Sequence, residues 1–276
     1  MIQDLLLHLS SYPDPTPESA IDAARRLAER FDACLSVAVS QTDLTRLTRY
    51  VASGLVTGKE LAAEENRRSR ANTLLLLEQV EDRLANVQRG GQFLFETLPI
   101  APSRELVTHA RAYDLTIVPV DAHGEGDDVA QALLFGSGRP ILLLPQTRTG
   151  DVGLKVQIGW DGSAAAARAL GDALPLLARA ETVMLVAVIG DKALDEGTGL
   201  ETVAAHLERH GIAADIEHVE AEGRNAGAAL LAHATDWGSD LLVMGGYGHS
   251  RAREFILGGA TRRVLQDARM PVFLSH

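Results

Sequence analysis

The sequence predicts an α/β protein built as two tandem domains, each a mostly five-stranded parallel sheet flanked by helices. Three observations lead there. Short apolar runs of strand length alternate with amphipathic helical patterns along the chain. The second half of the chain echoes the first. The 276 residues suffice for two domains of ~140 residues, each able to bury a core without disulfides.

In the first half, IQDLLLHLSS from Ile2 reads as a strand, followed by a Pro-rich turn. ESAIDAARRLAERFDACLSVAVS then gives a helix and a second strand, and a long helical pattern runs from about Glu60 to Gln88. Leu115 to Val120 and Ile141 to Leu144 are apolar runs of buried-strand length. The polar, Gly-containing stretch Gln146 to Gly153 reads as a linker, so the predicted domains are 1–147 and 152–276. The second half predicts strands near 154–160, 182–189, 213–219, 240–245 and 271–275. Its helices are expected near 163–179, 199–210, 224–237 and 260–268.

The echo is specific. LKVQIGWDGS, from Leu154, answers the opening strand and leads into its own helix and strand. YDLTIVPVDAHGEG, from Tyr113, is answered by SDLLVMGGYGHS, from Ser239, and RPILLLP by MPVFLSH. Strands alternating with helices make a parallel sheet covered on both faces, and such sheets take ligands at the carboxyl ends of their strands, where the chain order reverses. The last strands, 141–144 and 272–275, are candidates to pair edge to edge, giving an intrachain pseudo-dimer and removing two exposed edges.

Composition narrows the function. The apolar fraction is 46%, the charged fraction 23% and the aromatic fraction 4%, as in a soluble globular protein with an aliphatic core. A net charge of −11 argues against a general nucleic-acid binder, which needs a basic surface. The single cysteine, Cys34, forms no internal disulfide and suits a reducing cytoplasm. Met1 to Ser10 lacks the basic region of a signal peptide, and no run of 18 apolar residues spans a membrane. The histidines show no HExxH pairing or other zinc spacing, so no metal residues are assigned.

After the fourth strand of the second half come Met244-Gly245-Gly246-Tyr247-Gly248-His249-Ser250-Arg251, AREFIL, and Gly258-Gly259-Ala260-Thr261. Glycines let backbone amides approach a bulky anion, and a helix beginning at Gly258-Gly259 would offer unpaired N–H groups and a positive dipole end. Ordinary turns explain the same glycines equally well. GLVTGKE (Gly54 to Glu60) misses phosphate-loop spacing, and GEGDDV at Gly124 lacks the third glycine of a dinucleotide fingerprint.

GGYGHSRAREFILGGATRRVL, then MPVFLSH, resembles the ATP-binding loop, last helix and last strand of the universal stress protein family, and VQIGWDGS resembles its first strand and turn. The resemblance covers the chain as a tandem of two such domains, strong in the second and only topological in the first. It implies two Rossmann-like (adenine nucleotide alpha hydrolase-like) domains and an adenine nucleotide as ligand: ATP, ADP or AMP, with Mg2+ as a candidate companion. Carried over by position, Gly159 and Asp161 meet the ribose and adenine, and Ala187 and Val188 line the adenine slot. Met244 and Gly245 flank the nucleoside, while Gly248, Gly258, Gly259 and Ala260 offer amides to the phosphates. Gly259 stands where the family usually has a hydroxyl residue, for which Thr261 is the candidate substitute.

The first half lacks these features. Glu125, Asp127 and Asp128 lie near the expected phosphate position and repel an anion, and Ser10 to Asp14 does not match Trp160 to Ser163. Gly136 precedes Pro140 by only four positions, from which the last helix of this half is expected to be missing. The resulting expectation is a nucleotide-responsive regulatory or interaction module with one site in the second domain, an as yet unidentified protein partner and no catalytic residues. A slow ATP hydrolase using Asp161 and His249, and a scaffold with no nucleotide, are the alternatives. A homodimer of whole chains is a further option.

Overall fold

A computed structural model describes residues 1–45, 56–98, 103–121, 127–190, 199–246, 261, 264 and 269–276, with only the backbone at 56–59 and 127. The first half runs β1 (Asp4–Ser10), α1 (Glu18–Phe31), β2 (Cys34–Thr42), α2 (Val56–Arg83), β3 (Arg89–Thr97), α3 (Arg104–Ala110), β4 (Leu115–Val120), α4 (Asp127–Gly136) and β5 (Ile141–Pro145). The second runs β6 (Lys155–Gly159), α5 (Ala164–Leu177), β7 (Thr182–Ile189), α6 (Leu200–Arg209), β8 (Asp215–Glu220), α7 (Ala226–Trp237), β9 (Leu241–Gly245) and β10 (Val272–Ser275).

All ten strands form one sheet in the order β3-β2-β1-β4-β5-β10-β9-β6-β7-β8. Each half has the same internal order, the second reversed in space, so β1 corresponds to β6, β2 to β7 and β4 to β9. Every neighbouring pair is parallel except β5 and β10, which meet antiparallel with Val272 opposite Leu143, Phe273 opposite Leu142 and Leu274 opposite Ile141. The expected edge pairing is therefore present within the chain. Strands β4, β5 and β10 are buried throughout, which is why they read as unbroken apolar runs. The outermost strand β8, DIEHVE, is mostly exposed and polar, chemistry that blunts a free edge.

Helices cover both faces. Side chains of α1, α2, α5 and α6 form one core and those of α3, α4 and α7, with Val264, the other. In α1, Ile21, Ala24, Leu27, Ala28 and Phe31 recur at helical spacing and face the sheet. Each leucine so buried stabilises the fold by about 1.5–3 kcal/mol relative to exposure. Arg30 ties the halves together by donating to the carbonyls of Val152 at 2.6 Å and Gly153 at 3.0 Å. The Arg179 guanidinium lies 4.7 Å from the centre of the Phe31 ring.

Two expectations need correction. The helix said to be missing between β4 and β5 is present as α4. It is drawn from DDVAQALLFG, ahead of Gly136 rather than after it, and buries Ala130, Leu133 and Leu134. The long helix ends at Arg83 rather than Gln88, because Arg89 opens the edge strand β3. Of the helix expected near 260–268 only Thr261 and Val264 lie among the described residues, and both are helical and buried. No helix among the described residues is long and apolar enough to cross a membrane.

Candidate functional site

Strand β6 lies between β9 and β7, so the chain turns one way from β6 to β7 and appears on the other side at β9. The carboxyl ends of β6 and β9 mark the switch point, the place where such sheets take ligands. Six predicted site residues converge there. Gly159 is opposite Val186 on one side and Met244 on the other. Ala187 and Val188 lie near the carboxyl end of β7, and Gly245 ends β9. Asp161 begins the turn beyond β6.

The turn is locally determined. Asp161 Oδ1 accepts the Ser163 N–H at 3.0 Å, and Ser163 Oγ accepts the Ala166 N–H at 3.1 Å, capping α5. Gly245 is dictated by packing as much as by any ligand. A Cβ there would lie 2.4 Å from Ala166 N and 2.6 Å from the Ala165 carbonyl carbon, inside the first turn of α5. At Gly159 a Cβ would lie 2.7 Å from Leu230 Cδ1. The side chains of Ala187, Val188 and Met244 are buried, Ala187 in the core beneath α5 and α6 and the other two in the opposite core. Thr261 is buried as well. Gly248, Gly258, Gly259 and Ala260, with His249, Arg251 and Arg253, lie outside the described residues.

In the first half a polar network joins α2 to the ends of β1 and β2, a feature the sequence did not reveal. Helix α2 lays polar side chains over the ends of β1 and β2. Ser69 Oγ is 2.7 Å from Ser11 Oγ and accepts the Thr42 N–H at 3.0 Å. Ser11 Oγ also lies 2.9 Å from the Ser40 carbonyl, while Asn72 Nδ2 donates to the Ser11 carbonyl at 2.9 Å. Asn66 Oδ1 accepts the Leu44 N–H at 2.7 Å. Ser11 and Ser69 are fully buried. A satisfied buried network of this kind is costly to open.

His8, on β1, lies 2.9 Å from Ser40 Oγ, and burial pushes its pKa down to about 4, so it is neutral near pH 7. Among the described residues no three His, Cys, Asp or Glu side chains gather to hold a metal ion.

A doubly wound sheet with a switch point between β6 and β9 and a glycine-rich segment after the adjoining strand is the layout of an α/β domain of the Rossmann-like type. Residues 155–276 match the model of the universal stress protein family, and the C-terminal half of the chain is a universal stress protein domain. The chain is 30% identical over 139 residues to a universal stress protein of Synechocystis, a match covering 49% of this chain and 46% of that protein. The chain thus spans about half the length of that relative. A universal stress protein from Archaeoglobus fulgidus superposes over 98% of this chain and 97% of its own, with a TM-score of 0.68 at 14% identity. A Pseudomonas aeruginosa protein described as a putative universal stress protein covers 99% of this chain and 93% of its own, at a TM-score of 0.60 and 16% identity. At these identities the likeness is one of fold.

Proposed function

We propose that this chain is a tandem universal stress protein that binds one adenine nucleotide, at the carboxyl ends of β6, β7 and β9, and acts as a nucleotide-responsive regulatory module. The observation that carries this reading is the placement of six predicted positions at the carboxyl ends of neighbouring strands β6, β7 and β9. The second half gathers Gly159, Asp161, Ala187, Val188, Met244 and Gly245 around the switch point. In the first half, Ser11, Ser69 and Asn72 instead join α2 to the ends of β1 and β2. Family membership of residues 155–276 supports the choice of ligand.

In this reading the amides of Gly248, Gly258, Gly259 and Ala260 would receive the phosphates of ATP, ADP or AMP, with Thr261 supplying the hydroxyl that Gly259 lacks and Mg2+ neutralising phosphate charge. Binding biases the chain toward one surface shape seen by a protein partner, which requires differential affinity and no catalysis. Calorimetric titration of each nucleotide, with magnesium, into the wild type and Gly248→Glu tests it. One nucleotide per wild-type chain and none for the variant is the expected result. No binding of any nucleotide to the wild type leaves the scaffold reading in its place.

A further inference from the structure

His206 and His210 stand one turn apart near the end of α6, with ring centroids 4.8 Å apart and ring planes at 65°. Both side chains are exposed, and among the described residues neither imidazole has a hydrogen-bonding or charged protein partner. We propose that the pair is a bidentate site for a divalent transition-metal ion of the Cu2+, Ni2+ and Zn2+ group. The expectation that the histidines show no zinc spacing is corrected here: HLERH keeps the four-residue spacing of HExxH without the following glutamate.

The ring spacing suits a chelate, which the two exposed rings reach from their edge-on contact by turning about χ2. Metal–imidazole nitrogen bonds of about 2.0–2.1 Å put each ring centre about 3.2 Å from a shared ion. Centres 4.8 Å apart then subtend about 97° at the metal, between the octahedral and tetrahedral angles. Imidazole suits these borderline ions, and Cu2+ heads the affinity order. The pair sits where the carbonyl end of the helix dipole favours a cation, on a chain of net charge −11. Arg209, next in sequence, is rotated about 100° around the helix axis from each neighbour, so its guanidinium projects from another face. No third protein ligand joins among the described residues, so water completes the coordination and the ion remains exchangeable.

The site does not depend on the nucleotide reading. Helix α6 connects β7 to the parallel strand β8, so its last turn lies at the amino end of β8, across the sheet from the switch point. The test is a calorimetric titration of Ni2+ into the full chain, with the coordinated nitrogens counted by electron paramagnetic resonance after Cu2+ loading. Wild type is expected to take up one ion through two imidazole nitrogens. His206→Ala and His210→Ala are each expected to weaken binding at least tenfold, about 1.4 kcal/mol. Exposure of both residues leaves the circular dichroism unchanged, and His218→Gln serves as the control that retains the site. A His206→Ala/His210→Ala double variant binding metal as tightly as wild type, or a wild type that binds none, overturns the proposal.

Discussion

Leu134, on α4 of the first half, is packed directly against Gly246 of the second. A Cβ built on Gly246 would lie 2.8 Å from Leu134 Cδ2. The same glycine donates its N–H to the Ser275 carbonyl at 2.7 Å, and its own carbonyl accepts from His276 Nδ1 at 2.8 Å. His276 in turn meets the Phe135 ring edge-on at 4.9 Å. The base of the glycine-rich segment is therefore framed by a helix of the first half. The antiparallel seam of β5 and β10 brings that helix there.

The two adjacent glycines will respond differently to a methyl group. At Gly246 the obstacle is the end of a flexible leucine, so Gly246→Ala is expected to cost about 1 kcal/mol. At Gly245 the obstacle is the backbone of α5, which cannot rotate away, and Gly245→Ala is expected to cost about 3 kcal/mol. Urea denaturation of both variants checks the order. Equal losses would mean that the first turn of α5 yields as readily as a side chain.

Ser69→Ala removes the hydroxyl that bonds the Thr42 N–H and Ser11 Oγ. Leaving buried groups unpaired costs about 1–3 kcal/mol. The loss should appear in denaturant midpoints while nucleotide affinity stays unchanged, because the network belongs to the first half. A change in affinity would show that the network beneath α2 takes part in binding.

Burial holds the His8 pKa at about 4, against an ordinary value near 6.5. Between those values the unfolded chain carries the extra proton. This contribution is therefore complete above pH 6.5 and is lost as the pH falls toward 4, to a total of about 3 kcal/mol. His109, also lowered by burial, adds a contribution of the same sign. Stability measured from pH 7 to 4.5 should fall less steeply in His8→Gln than in wild type. Parallel curves would show that His8 is protonated in the folded chain.

Elements with one clear period were readable from sequence. Strand β7 occupies Thr182–Ile189 as expected, because an apolar run bounded by polar residues has few alternatives. Strand β3 was not found: RGGQFLFET opens with two glycines and abuts a helical pattern that seemed to continue to Gln88. Helix α4 was missed because its acidic first residues read as loop. Gly159, Asp161 and Met244 were placed at strand ends by motif, and the strand order brings them together. The Ser11–Ser69 contact joins positions 58 residues apart and leaves no periodic trace. The packing role of Gly245 likewise depends on where α5 lies.

Photolabelling with 2-azido-ATP followed by peptide mapping decides whether there is one adenine-nucleotide site and whether it lies in the second half. A single label, competed by unmodified nucleotide, is expected on the peptide containing Ala187 and Val188 or on that containing Met244 and Gly245. Competed label on β2, around Ser40, or the absence of any competed label, would contradict a single site in the second half.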